Sequence, residues 1–187
     1  MRHAFRGSPF GEETFVDLGD EGIDMTDGTS RHVALGDIVR VRLRRIPLRA
    51  STDQFICELE PRNGNRLRIC SASYHHLVAI ENRAATWRPL VEQLHRQLMS
   101  QSSPPQFIAG DPPIRFALLI SVWLVLVAVA LWLLSEGAML GLVALFPIAF
   151  VGIFYWYRRL HANRPRPYDP RALPPILMPA LPKVPPA

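Results

Sequence analysis

The chain has 187 residues, 49% of them hydrophobic, and a formal net charge of +5. Its length permits one small globular domain of about 100 residues beside a further segment. Two cysteines are too few for a secreted disulfide scaffold. The first residues are not followed by the apolar stretch of a signal peptide, so we expect none.

The N-terminal part, residues 9–100, has the pattern of a small antiparallel β domain. Short strands are predicted at 11–18 and 22–25, around a Gly-Asp-Glu-Gly turn. The clearest strand is 38–44, because its residues alternate between apolar and basic types, as in a half-buried antiparallel strand. We expect one face to carry Val39, Val41 and Leu43, and the other to carry Arg40, Arg42 and Arg44.

Segments 54–60 and 66–71 are predicted to form a β-hairpin around Asn63-Gly64. A two-residue loop would place apolar side chains opposite charged ones on the neighbouring strand, on both faces of the hairpin. A three-residue loop with Gly64 in the left-handed conformation avoids this conflict. It pairs Cys57 with Ile69, Leu59 with Leu67, Glu58 with Arg68, and Glu60 with Arg66. This register predicts that Cys57 and Cys70 form no disulfide.

Residues 86–98 are predicted to form an amphipathic helix that packs on the sheet. Its apolar positions recur at helical spacing: Trp87, Leu90 or Val91, Leu94 and Leu98. Segment 73–82 is ambiguous between a short helix and a strand followed by a loop.

Several strands followed by one helix resemble the pleckstrin-homology-like fold, as do residues 17–23 near the start and the helix at the end. The chain also resembles bacterial membrane proteins that join such a domain to a transmembrane hairpin, although in several of those proteins the hairpin comes first. The resemblance covers about half of the chain and supplies no catalytic residues.

Two apolar runs, 115–134 and 138–157, are each about as long as a helix that crosses the hydrocarbon core. They predict a transmembrane helical hairpin; the alternative is a buried pair of helices. Basic residues flank the helix pair, and the short loop between the two helices carries none. Both termini are therefore predicted to be cytoplasmic, with the hairpin in the bacterial inner membrane. The expected membrane-interface residues are Trp132, Tyr155, Trp156, Tyr157, Arg158 and Arg159.

Catalytic and metal-binding patterns are missing from the sequence. His75 and His76 are adjacent and should point apart, and no His-Glu-x-x-His or Cys-x-x-Cys motif accompanies them. Cys57 has no base that the sequence can place beside it. We therefore expect no enzyme activity, no metal and no cofactor.

The candidate binding surface is a row of arginines: Arg40, Arg42, Arg44 and Arg49. They could bind anionic headgroups or an acidic partner surface. The alternative is a solvated strand face, with Arg66 and Arg68 ion-paired to Glu60 and Glu58. No aromatic residues interleave with these arginines, so nucleic-acid binding is not expected.

The sequence thus predicts an α+β membrane protein, with an antiparallel pleckstrin-homology-like domain, a C-terminal helix and a transmembrane hairpin. Its expected function is non-catalytic, membrane-tethered scaffolding that recruits a protein partner or anionic lipid, with no small-molecule substrate. The alternative is an accessory subunit of a larger inner-membrane complex. The predicted segments are a flexible N-terminus (1–8), the cytoplasmic domain (9–100), a linker (101–114), the hairpin (115–158) and a proline-rich tail (159–187), disordered or bound along a partner.

Overall fold

The structure is a computed structural model that describes residues 1–49, 52–75, 79–135, 157 and 159–180. At positions 48, 49, 52, 119, 130, 133 and 134 it describes the backbone alone. The chain divides into two compact units. Unit 1 comprises Met1–Ala109 and Arg166–Ala187, and unit 2 comprises Gly110–Pro165.

The first sheet of unit 1 is an antiparallel meander of four neighbouring strands. They are β1 (Arg2–Phe5), β2 (Thr14–Leu18), β3 (Gly22–Thr26) and β4 (Ser30–Ala34). The strands predicted at 11–18 and 22–25 are confirmed as β2 and β3. β1 lies in the segment predicted to be flexible, and β4 has no counterpart in the sequence analysis.

The second sheet has five strands and is built on a long hairpin. β5 (Ile38–Arg49), β6 (Thr52–Pro61) and β7 (Leu67–Cys70) are antiparallel neighbours. β10 (Gln106–Ala109), which lies within the predicted linker, pairs parallel with β5. β11 (Arg166–Pro167) pairs antiparallel with β10 and so brings the C-terminal segment back to unit 1.

The β6–β7 register is the one that the three-residue loop predicts. Cys57 lies opposite Ile69, Glu58 opposite Arg68, and Leu59 opposite Leu67. Gly64 has a φ of 80°, in the left-handed region that a glycine adopts without strain. The local pattern of apolar and charged pairs was therefore sufficient to fix this hairpin.

The alternation predicted for β5 is wrong at its first valine. The register against β6 shifts between Ile38 and Arg40. This bulge adds a residue to one strand and turns Val39 away from the core. Val39 is consequently 39% exposed, whereas Ile38 and Val41 are both buried.

A helix, α1 (Ala84–Met99), closes the core of unit 1 as predicted. Its buried apolar stripe consists of Trp87, Leu90, Val91, Leu94 and Leu98. The ambiguous segment before it contains two paired strands, β8 (Ala72–Tyr74) and β9 (Ile80–Asn82).

Two buried side chains satisfy carbonyl groups of β7. The indole Nε1 of Trp87 donates to the Ile69 carbonyl at 3.0 Å. His3 Nε2 lies 2.9 Å from the Cys70 carbonyl. Because the His3 pKa is lowered by burial, the ring is neutral and Nε2 carries the donated proton. β1 and α1 are thereby both tied to this strand, which ends the second sheet.

Unit 2 contains α2 (Pro113–Ser135), which covers the first predicted membrane span. Four side chains within α2, and all of the second predicted span except Tyr157, lie outside the described residues. No helix among the described residues is long and apolar enough to cross a membrane. This finding overturns the predicted transmembrane hairpin, the multi-pass topology and the inner-membrane location.

The described part of the proline-rich tail packs on unit 1, whereas the sequence analysis expected disorder or a partner. After β11, a short 3-10 helix at Pro175–Leu177 places Leu177 in the hydrophobic core. Met178 is also buried there. Repeated prolines prevent a regular α-helix but do not prevent an extended segment from packing against its own domain.

Both cysteines should resist alkylation in the folded protein. Cys57 and Cys70 are free and buried. Burial raises the pKa of Cys57 far above its usual value and that of Cys70 to about 12, so little reactive thiolate forms. We expect iodoacetamide at about pH 8 to modify neither thiol until the protein is unfolded in urea, as measured by mass spectrometry. A Ser103→Cys variant, whose new thiol lies at an exposed position, should react at once. Rapid modification of Cys57 in the native protein would contradict the buried placement.

Candidate functional site

The face of the second sheet opposite to Val41 and Leu43 carries rows of opposite charges. Arg40 lies opposite Glu60, and Arg42 lies opposite Glu58, which in turn lies opposite Arg68. Alternation along each strand puts these residues on one side and the buried Val41, Leu43 and Leu59 on the other, while the buried Ile56 and Cys70 share the side of Arg44. We call this set the arginine–glutamate ladder: Arg40, Arg42, Arg44, Glu58, Glu60, Arg66 and Arg68.

Ion pairs connect neighbouring strands of the ladder. Arg40 Nη1 donates to Glu60 Oε2 at 2.9 Å, and Arg66 Nη2 approaches Glu60 Oε1 at 3.4 Å. Arg68 Nε donates to Glu58 Oε1 at 3.0 Å. Glu60 is therefore shared by Arg40 of β5 and by Arg66, which directly precedes β7. Such cross-strand pairs hold the side chains in defined positions on the sheet.

The predicted arginine row is unevenly placed relative to the surface. Arg42 and Arg44 are only 8% and 2% exposed. Burial lowers the Arg42 pKa, and the neighbouring Glu58 carboxylate acts in the opposite direction. Arg40 remains partly exposed, and the side chain of Arg49 lies outside the described residues.

The most exposed cations of the ladder belong to β7 and the turn before it. The side chains of Arg66 and Arg68 are 49% and 55% exposed. From the sequence, both were predicted only as ion-pair partners of Glu60 and Glu58. Local pattern does not reveal that these two side chains are exposed at the edge of the sheet while Arg42 and Arg44 are buried.

A second candidate site is an open groove of about 570 Å³ between α1 and the tail of unit 1. This volume is within the usual range for small-molecule sites. We call it the arginine groove; its walls include Arg88, Glu92, Arg96, Met99, Arg171 and Leu173. None of these residues was predicted as part of a binding site.

The helix wall of the arginine groove follows from α-helical spacing. Arg88, Glu92 and Arg96 are four residues apart in succession and share one stripe of α1. Arg88 Nε donates to Glu92 Oε1 at 2.8 Å, and Arg88 Nη1 approaches the Pro179 carbonyl at 3.4 Å. The stripe is readable in the sequence, but the tail that completes the groove is more than 70 residues away.

Buried contacts hold the tail segment that forms the second wall of the arginine groove. His95 Nε2 lies 2.6 Å from the Tyr168 hydroxyl, and His95 Nδ1 lies 2.7 Å from the Val91 carbonyl. Nδ1–H therefore donates to Val91, and Nε2 accepts from Tyr168. Both aromatic rings also contact Phe107 of β10. Burial lowers the His95 pKa to about 4 and raises the Tyr168 pKa, so both groups are neutral at neutral pH.

The predicted membrane-interface residues do not form a described site. Trp132 and Tyr157 are exposed, and Arg159 lies near Asp111 within unit 2. Tyr155, Trp156 and Arg158 lie outside the described residues. No membrane-spanning helix is found in the described chain, and the interface role assigned to these residues stays a prediction.

Metal chemistry has no candidate within the described ranges, where no group of three or more His, Cys, Asp or Glu side chains could hold an ion. Comparisons with family models, curated proteins and solved structures find no match for the chain. Among the described residues, the two arginine-containing surfaces of unit 1 are the candidate binding sites.

Proposed function

We propose that unit 1 is a non-catalytic, pleckstrin-homology-like binding domain that recruits an acidic protein partner through the arginine–glutamate ladder. The order of its elements supports the resemblance. A four-stranded antiparallel meander is followed by the three antiparallel strands β5, β6 and β7, and then by the closing helix α1.

The charge of the ladder is the observation that carries the proposal. Its arginines outnumber its glutamates, and its exposed edge presents Arg66 and Arg68. Ion pairs to Glu60 and Glu58 hold these two guanidinium groups in place before any partner arrives. A preorganised charged surface loses less conformational entropy on binding than a flexible one.

The alternation of charge favours a protein partner over a lipid surface. A uniformly anionic bilayer would meet the partly exposed Glu60 carboxylate as well as the arginines. A protein surface can instead place acidic groups opposite the arginines and a donor opposite Glu60. Complementarity of this kind selects one partner and one orientation.

Charge reversal at the exposed edge tests the proposal. The full chain and an Arg66→Glu/Arg68→Glu variant are compared as baits in native cell extract, and recovered proteins are quantified by mass spectrometry. We expect one acidic protein to be retained by the wild type at low salt and lost from the variant. Its purified form should bind the wild type about tenfold more tightly or better, with an affinity that falls as salt rises.

An Arg115→Glu/Arg164→Glu variant is the matched control, because it makes the same change in net charge at exposed positions of unit 2. It should retain the partner. If both variants lose the partner protein equally, the change in net charge alone explains the loss, and the proposal is contradicted. Retention by the Arg66→Glu/Arg68→Glu variant, or binding to anionic vesicles alone, would also contradict it.

A further inference from the structure

One of the three arginines that line the arginine groove is ion-paired, and the other two are not. Glu92 neutralises Arg88 through their ion pair at 2.8 Å. Arg96 on the helix and Arg171 on the tail are exposed, and neither guanidinium group has a hydrogen bond or ion pair among the described residues. The groove therefore retains two positive charges, one on each wall.

Arg171 is held close to the groove although it lies in a proline-rich segment. The tail is anchored before it by the hydrogen bond between Tyr168 and His95, and after it by the buried Leu177. The nearby Asp169 carboxylate accepts the backbone N–H of Arg171 at 2.9 Å and so caps its own turn. These contacts position the Arg171 backbone, and the guanidinium group remains available.

Apolar atoms lie beside the two cations. Met99 at the end of α1 and Leu173 of the tail both line the groove, and Leu173 packs against the core. Sites for organic ligands combine apolar walls with a few polar groups that fix the ligand's orientation. The groove thus offers an apolar wall to an organic group and two guanidinium groups to an anion.

We propose that the arginine groove binds a small organic phosphate, with the phosphate between Arg96 and Arg171 and the organic group against Met99 and Leu173. A phosphate monoester carries about −1.5 to −2 charges at neutral pH, which matches the two available arginines. Its tetrahedral oxygens can accept bonds from opposite sides, whereas a carboxylate is satisfied by one bidentate arginine. This site uses no residue of the arginine–glutamate ladder and stands independently of the proposed function.

The test titrates the full chain with inorganic phosphate, phenyl phosphate and phenylacetate, and follows the arginine Nε–H signals by NMR. We expect phenyl phosphate to bind most tightly and to shift the signals of Arg96 and Arg171. Arg96→Gln and Arg171→Gln should each weaken phenyl phosphate binding about tenfold or more. Leu173→Ala should weaken phenyl phosphate binding and leave inorganic phosphate binding unchanged.

Arg115→Gln is the matched control, since it removes one exposed guanidinium from unit 2, and it should bind like the wild type. Thermal unfolding of each variant checks that the fold is intact. The proposal is overturned if the wild type binds no phosphate, if Arg115→Gln weakens binding as much as Arg96→Gln, or if phenylacetate binds as tightly as phenyl phosphate. The full chain is also titrated with vesicles that contain phosphatidic acid. Binding confined to these vesicles would assign the site to a lipid headgroup and also overturn the proposal.

Discussion

Replacement of Trp87 by alanine is expected to destabilise unit 1 by about 3–5 kcal/mol, the usual cost of removing a large aromatic side chain from a core. Trp87 is fully buried. Its indole also donates to the Ile69 carbonyl, so the alanine variant leaves a buried acceptor without its partner. Because small domains are stable by only about 5–15 kcal/mol, this single change should leave the fold marginal.

Urea unfolding of the full chain, followed by circular dichroism, measures this effect. Trp87→Phe should cost less, about 1–2 kcal/mol, because it keeps most of the ring and loses mainly the hydrogen bond. Trp132→Ala is the control, since Trp132 is 61% exposed on α2. If Trp87→Ala and Trp132→Ala unfold at the same urea concentration, Trp87 does not occupy the core position described.

The elements that sequence reasoning predicted correctly depend on local patterns. The α1 stripe repeats every three or four residues, so its spacing alone identifies the buried face. The β6–β7 register follows from a short loop and from pairs of residues only a few positions apart. In both cases the partners are close in sequence and few alternative arrangements compete.

The elements that it missed depend on distant partners. β10 pairs with a strand more than 60 residues earlier, and the tail packs on α1 across a similar separation. No short window of sequence records such pairings. The arginine groove was missed for the same reason, because Arg171 and Arg96 come together only after the tail has docked.

The arginine row shows a different limitation. Strict alternation correctly put Arg40, Arg42 and Arg44 on the face opposite Val41 and Leu43. It gave no information on which part of that face is covered, and Arg42 and Arg44 are buried. A period of two assigns side chains to faces, and only the packing of whole elements decides exposure.

The predicted membrane hairpin was inferred from composition. Two long apolar runs satisfy the length that a bilayer requires, but composition does not distinguish a lipid-facing helix from any other apolar segment. Among the described residues no helix meets the requirements for a span. The binding role proposed for unit 1 does not depend on the hairpin, because the ladder and its charges belong to β5, β6, β7 and the turn before β7.

Acid should destabilise unit 1 by about 3 kcal/mol through His95 alone. In the unfolded chain His95 takes up a proton near pH 6.5, whereas in the folded protein burial lowers its pKa to about 4. At pH values between about 4 and 6.5, His95 is therefore protonated in the unfolded state and neutral in the folded state. The stability is therefore fully present above pH 6.5 and is lost as the pH falls towards 4.

Comparison of the wild type with His95→Gln isolates this contribution. The free energy of unfolding is measured in urea at about pH 7 and at about pH 4. The loss of stability between the two pH values should be about 3 kcal/mol smaller in His95→Gln than in the wild type. Burial also lowers the His3 pKa, but His3 is present in both proteins, so its contribution cancels. An unchanged pH dependence in His95→Gln would contradict a buried neutral imidazole at the Tyr168 contact, and NMR titration of the ring would then show protonation near its ordinary pKa.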